Sequence, residues 1–152
     1  MLDWKDNLAE VEQHLKRLDQ ELVRGVQEAV GEAVDAGAAE ARQTHDFRNR
    51  TGGVERGIRG RVVSLTARGA EGVIEATDAA SSHLAYGTRA HEIRPKNAAA
   101  LNFSIAGRTV FAARVQHPGT KADPFMANAA RRAERVLRQS ILATLERIHR
   151  KI

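Results

Sequence analysis

Three histidines, His83, His91 and His117, together with Glu92 and Asp123, are the residues of this chain best suited to hold a metal or move protons. Metal ligands legible in a sequence recur at short helical or loop spacing, such as His-x-x-x-His. Here the histidines stand 8 and 26 residues apart, with no such pattern behind them. His117 precedes Pro118 and reads as a turn residue bonded to backbone. Ser81-Ser82-His83 invites a nucleophile reading, but adjacent residues of a helix do not face each other. A triad also needs an oriented base and an oxyanion site, and nothing marks either. Gly52-Gly53 and Gly57-Ile58-Arg59-Gly60 lack the Gly-Lys-Ser/Thr ending of a phosphate-binding loop. These residues therefore predict no enzyme, no metal and no cofactor. What remains is the basic loop from Thr88 to Asn97, with Arg89, His91, Arg94 and Lys96. It reads either as a solvated loop or as a docking surface.

The elements that would position this loop are legible on both sides of it. Leu8, Val11, Leu15, Leu18 and Leu22 recur at three- and four-residue spacing, and Val26, Val30, Val34, Ala38 and Ala41 continue the pattern. The spacing predicts an amphipathic helix from Trp4 to Arg42, with Asp3 as N-cap and Asp6 in a weak capping box. Its first part is a near-heptad seam, longer than a domain of this size can cover. It reads either as a core helix with a frayed end or as an arm whose seam neighbouring copies complete. Gly25, Gly31 and Gly37 each cost about 1 kcal/mol relative to Ala and allow a break between Gly31 and Gly37.

Thr44 to Gly53, with Arg48, Asn49 and Arg50, reads as a polar loop that Phe47 anchors. Val54 to Ala67 is the first predicted strand region, with a bulge hinted at by Gly57 and Gly60. Gly72 to Thr77 is the second. Asp78 caps a short helix from Ala79 to Tyr86, closed by Gly87. Leu101 to Ile105 and Thr109 onward through Val115 form a hairpin turning at Ala106-Gly107. Turn signals crowd this half: Gly52, Gly87-Thr88, Pro95, Gly107, Pro118-Gly119 and Pro124. Asp123 caps a last helix with Pro124 at its first position. Its apolar stripe is Ala129, Ala133, Val136, Leu137, Ile141, Leu145, Ile148 and Ile152. Its other face carries Arg131, Arg132, Arg135, Arg138, Arg147, Arg150 and Lys151. The predicted class is α+β: a long N-terminal helix, a small, mainly antiparallel four-stranded sheet, a short helix and a C-terminal amphipathic helix.

With 152 residues, a single domain is expected, divided as a helical arm (1–43), a sheet region with the short helix (44–127) and a C-terminal helix (128–152). Cysteine is absent, which excludes disulfides and thiolate metal sites. The first residues lack the basic-then-apolar pattern of a signal peptide, and no apolar run suits a membrane span, so a soluble intracellular product is expected. The net charge of +5 is unevenly spread. Residues 1–43 hold five Lys/Arg against ten Asp/Glu, and residues 128–152 hold seven against two. Opposite ends of one small chain thus suit pairing, within the chain or between copies. The basic balance also fits a nucleic-acid binder, although the acidic helix would oppose DNA.

Five pieces in order carry a resemblance. They are Gly87-Thr88 after a short helix, a basic loop ending in Pro95-Lys96, the strand Ala100-Leu101-Asn102-Phe103, a hairpin, and His117-Pro118-Gly119-Thr120 running to Pro124-Phe125. The chain resembles the small neck proteins of long-tailed bacteriophages, the head–tail joining or tail-completion family. Arg50-Thr51-Gly52-Gly53-Val54 is similar to that family's Thr-Gly-x-Leu lead-in to its first strand, so the resemblance spans about the last two-thirds of the chain. Ala85 departs from it, standing where the family usually carries Glu. The resemblance implies a non-enzymatic structural protein of a phage or prophage particle, located in the virion neck and made in the host cytoplasm. It would form a homo-oligomeric ring of six copies, with twelve as the alternative, between the connector or stopper and the tail terminator or tube proteins. DNA would pass through without being gripped, and no membrane would be involved. Arg89, His91, Arg94, Lys96, His117, Arg131, Arg135 and Arg138 would then face neighbouring protein. The alternative is a basic DNA-binding accessory protein of phage origin.

Overall fold

The structure, a computed structural model, describes residues 4–48 and 51–151, with side chains from Asn7 onward. The expected caps Asp3 and Asp6, the loop residues Asn49 and Arg50 and the stripe residue Ile152 lie outside the described residues. In chain order the elements are α1 (Trp4–Gln43), α2 (Gly53–Gly57), β1 (Ile58–Thr66), β2 (Gly69–Ala76), α3 (Ser81–Tyr86), β3 (His91–Ile93), β4 (Leu101–Ile105), β5 (Arg108–Ala112), β6 (Val115–His117) and α4 (Phe125–His149). The class is α+β. The strands, however, form three separate two-stranded antiparallel ladders, β1–β2, β3–β6 and β4–β5, where one four-stranded sheet was expected. The chain divides into two compact units, residues 1–78 with 125–152, and residues 79–124.

In the first unit, α1 is one unbroken helix of 40 residues, and the expected break between Gly31 and Gly37 does not occur. Two of its three glycines are contact points. A Cβ on Gly25 would lie 2.7 Å from Thr144 Oγ1, and one on Gly37 would lie 2.9 Å from the Ala129 carbonyl oxygen. Small residues thus let α4 run antiparallel along α1 at close range. The β1–β2 ladder packs on the same helix by the same device. A Cβ on Gly60 would meet the Val34 backbone and one on Gly72 the Val30 side chain, at 2.6 and 2.9 Å. Gly60 therefore serves close packing, and the ladder's irregularity lies further on, between Val62 and Ser64. Ala29, Val30, Ala33, Val34, Ala38 and Ala41 of α1 form the buried core with Ile58, Phe125 and Ala129.

Several details differ from expectation. Val54 lies in the short helix α2 rather than in a strand, and β1 begins at Ile58. α3 has Ala80, not Asp78, at its N-cap, with no side-chain capping bond. Leu145 is 45% exposed, and Thr144 takes the buried position under Gly25 instead. Between α1 and α2, the Phe47 ring stacks on His45 at 3.8 Å and meets the buried Phe125 edge-on at 5.3 Å. His45 spans from the Phe47 carbonyl (3.1 Å) to Glu55 Oε1 (3.0 Å), which holds this loop in place.

The second unit is built on turns. Thr88 and Thr120 exchange backbone hydrogen bonds of 2.9 and 3.1 Å, and the Asp123 N–H donates to the Leu84 carbonyl at 2.9 Å. β3 and β6 pair three residues each, with His91 opposite His117. The β4–β5 hairpin turns through Ala106 and Gly107, with φ of 49° and 79°. Two consecutive positive φ values make the two-residue turn whose twist suits a hairpin.

Candidate interaction surface

Of the residues singled out around the central turns, His91, Glu92 and His117 come together on the β3–β6 ladder, whereas His83 lies on α3. Part of the region expected as a loop, His91 to Ile93, is a strand, and β6 fixes its place. The His91 and His117 rings lie 5.1 Å apart, centre to centre. His91 Nδ1 bonds the Arg89 carbonyl at 2.8 Å, and His117 Nδ1 accepts the Gly119 N–H at 3.0 Å. That second bond leaves His117 Nδ1 occupied as an acceptor, so a metal could reach only the other nitrogen. No group of three or more potential metal ligands occurs among the described residues.

Glu92 sits between two cations, with Arg94 Nε at 2.5 Å and Arg114 Nη1 at 3.7 Å. Arg89, Arg94, Lys96 and Arg114 are all exposed and Pro95 half-buried, so these pairs lie in water and contribute little stability. Arg114 is a member of this cluster that the sequence pattern did not single out. It follows the hairpin by two residues, and only the β3–β6 pairing brings it to Glu92.

Two Gly-Thr steps hold the base of this surface. Gly87 (φ 74°) and Gly119 (φ 94°) lie back to back beside the Thr88–Thr120 bridge. A Cβ on Gly87 would come within 2.7 Å of the Thr120 carbonyl oxygen, and one on Gly119 within 3.0 Å of the Arg89 backbone. Thr88 Oγ1 also accepts from the Thr120 N–H at 3.0 Å. Pro118 follows His117 on the exposed side of this turn, and Pro124 directly precedes α4 rather than standing at its first position, so the cap falls one residue later than expected. Gly52, at φ 71°, makes the corresponding turn into α2 in the first unit.

The first unit carries two further exposed features. Arg131, Arg135 and Arg138 are exposed on α4 and form no ion pair among the described residues. At the far end of that helix Lys151 bonds Glu21 at 2.7 Å. Beyond this point α4 no longer covers α1. Leu8, Val11 and Leu15 are 52, 54 and 59% exposed, although they continue the seam that α4 covers further along. Residues 4–18 thus make an arm about 22 Å long at 1.5 Å per residue, with a bare apolar stripe.

Ser81 is buried, whereas Ser82 and His83 are exposed. No helix is long and apolar enough to cross a membrane among the described residues. No family model, curated protein or solved structure matches this chain.

Proposed function

We propose that this protein is a non-enzymatic structural component of a phage or prophage particle, a neck protein that assembles into a ring and joins the head's connector to the tail. The observation that carries the assembly reading is the arm. Three large aliphatic side chains stand in water on a helix whose seam is otherwise packed. Monomeric proteins rarely leave such a stripe uncovered, and a neighbouring subunit would cover it. The neck assignment rests on the ordered motifs from Thr51 to Phe125. Two of those motifs, Gly87-Thr88 and Gly119-Thr120, bond to each other, as parts of one recognition element would.

The ring would have six copies, with twelve as the alternative, and would meet connector or stopper proteins on one side and tail terminator or tube proteins on the other. Native mass spectrometry with particle imaging of the purified protein tests this. A closed ring, alone or on mixing with neighbouring neck proteins, is the expected result. A chain that stays monomeric in every such mixture overturns it.

The unpaired arginines of α4 favour one second reading, a DNA-binding accessory protein of phage origin. Salt separates the two. Binding through phosphate contacts falls steeply as salt rises, whereas an assembly built on apolar seams persists.

A further inference from the structure

We propose that an apolar groove beside β2 receives the β4–β5 hairpin of a second copy of this chain, making a four-stranded antiparallel sheet across the subunit boundary. This rests on the self-assembly reading above and names a surface through which assembly works.

The groove lies within the first unit. Val30 and Val34 of α1 form its floor, and Met126, Ala133 and Leu137 of α4 form one wall. The opposite wall is β2, whose consecutive residues from Ala70 to Ile74 all line the space. Side chains of a strand alternate between faces, so a run of consecutive residues means that the strand's edge faces the groove. That edge is unpaired among the described residues, where β2 pairs only with β1. The volume is about 520 Å³. An apolar trough with a free row of backbone N–H and C=O groups along one side matches an added strand. Backbone bonds would supply affinity, and every second side chain would enter the trough.

The hairpin has the complementary pattern. Leu101, Phe103, Ile105, Val110 and Ala112 share one face by register, with Arg108 at its tip opposite Ile105, and Asn102, Ser104, Thr109 and Phe111 share the other. Within its own unit it packs extensively on no other helix or strand among the described residues. On the first face Ile105 is 58% exposed while Leu101, Phe103, Val110 and Ala112 are half-buried, and on the second Phe111 is 69% exposed. A two-stranded hairpin without further packing is only marginally stable in water, so this one gains most from a partner surface. Charge agrees with the match. Glu134 of α4 borders the groove, and Arg108, at the tip of the inserted face, is exposed without an ion pair among the described residues. One copy would give its hairpin and receive another's, a head-to-tail contact of the kind that closes into a ring.

The chain contains no cysteine, so engineered thiols report on this contact alone. With Leu101, Phe103 and Ile105 turned into the groove, Ser104 and Thr109 lie on the same outer face as Glu71 and Val73. Directly opposed residues of an antiparallel pair are close enough for a disulfide. Val73→Cys protein is mixed with Ser104→Cys or Thr109→Cys protein and oxidised under native conditions. The expected result is a covalent heterodimer in roughly tenfold excess over either homodimer for at least one hairpin position, lost when Phe103→Ser is added to the hairpin partner. If the protein assembles by native mass but the heterodimer shows no excess, the groove proposal falls and the ring reading stands. If the protein stays monomeric alone and with neck partners, both fall. Internal closure of a Val73→Cys/Ser104→Cys double variant as a monomer would assign the groove to the chain's own hairpin and overturn the proposal. So would an apolar dye (anilinonaphthalene sulfonate) that still fills the groove in the assembled protein.

Discussion

The Lys151 ammonium lies 2.7 and 2.8 Å from the two carboxylate oxygens of Glu21, and this pair marks where α4 stops covering α1. The hydrogen bond from Lys151 holds the Glu21 carboxyl below its ordinary value of 4.5, with smaller contributions from the charges of Lys151, Arg147 and Arg24. A carboxyl lowered in the folded state stabilises above its unfolded pKa, and the effect is lost as pH falls through the folded one. Lys151→Ala should therefore raise the Glu21 midpoint in a carboxyl-carbon NMR titration. The small stability difference between that variant and the parent should be present at neutral pH and vanish in acid. An unmoved Glu21 midpoint would show that the pair does not form in solution.

The glycines of α1 should respond in opposite directions. Gly31 has open space around its Cβ position, so Gly31→Ala should stabilise by about 1 kcal/mol through helix propensity. Gly25→Ala drives a methyl into Thr144, and Gly37→Ala drives one into the Ala129 carbonyl. Overpacking of this kind costs about 1–3 kcal/mol. Gly37→Ala should cost more, because backbone yields less than a side chain. Adding Thr144→Ala should recover part of the Gly25→Ala loss. Denaturant melts of the parent and the four variants check this, and equal stability for Gly25→Ala and Gly31→Ala would mean that α4 does not pack here.

Much of this was legible because helical periodicity survives in a sequence with few aromatics. The long N-terminal helix, the last helix, the hairpin at Ala106-Gly107 and the α+β class all follow from spacing and turn residues. What the pattern could not show was the use of each residue in packing. Gly25 and Gly37 looked like weak points in a helix, whereas they are where α4 approaches. Leu145 looked more suited to burial than Thr144, but the approach at Gly25 leaves room for the smaller side chain. The β3–β6 ladder escaped notice because its strands have three residues each, too few for alternation to register. The cluster of Glu92, Arg94 and Arg114 depends on that ladder and was hidden with it.

The hairpin turn is strained at one position. Ala106 has φ of 49°, a left-handed conformation that costs an L-residue with a Cβ about 1–2 kcal/mol. Asn tolerates it better, and Asn-Gly is the preferred pair for this turn. Ala106→Asn should slow hydrogen exchange of the β4–β5 amides, and Ala106→Val should speed it. Identical exchange in all three proteins would mean that the turn is not formed as described.

Gly87 tests the paired Gly-Thr steps. With φ of 74° and the Thr120 carbonyl beneath its Cβ position, Gly87→Val should destabilise by more than about 1 kcal/mol. The same variant should loosen the Thr88 and Thr120 amides, whose bonds span the bridge. Unchanged melting, with both amides still protected, would show that the backbone is free to adopt another turn.

The arm and the α4 arginines separate assembly from folding. Acidic α1 and basic α4 were expected to pair by charge. They pack antiparallel, but among the described residues the direct ion pair is Glu21 with Lys151, just past the end of α4, while Arg131, Arg135 and Arg138 point to water. Changing these three to Gln or to Glu should therefore leave chain stability within about 0.5 kcal/mol per substitution, as for other exposed sites. Leu8→Ser, Val11→Ser and Leu15→Ser together should likewise spare the fold, since their side chains are already in water. In a ring, however, the arm variant should lower assembly sharply at all salt concentrations, because an apolar seam is insensitive to screening. The Glu variant should weaken assembly more than the Gln variant if the arginines face a neighbour, and the difference should shrink as salt rises. Native mass and thermal melts measured side by side resolve these effects. Full assembly by the triple Ser variant would remove the arm from the interface. Salt-sensitive DNA binding by the parent, abolished in the Gln variant, would favour the DNA-binding reading instead.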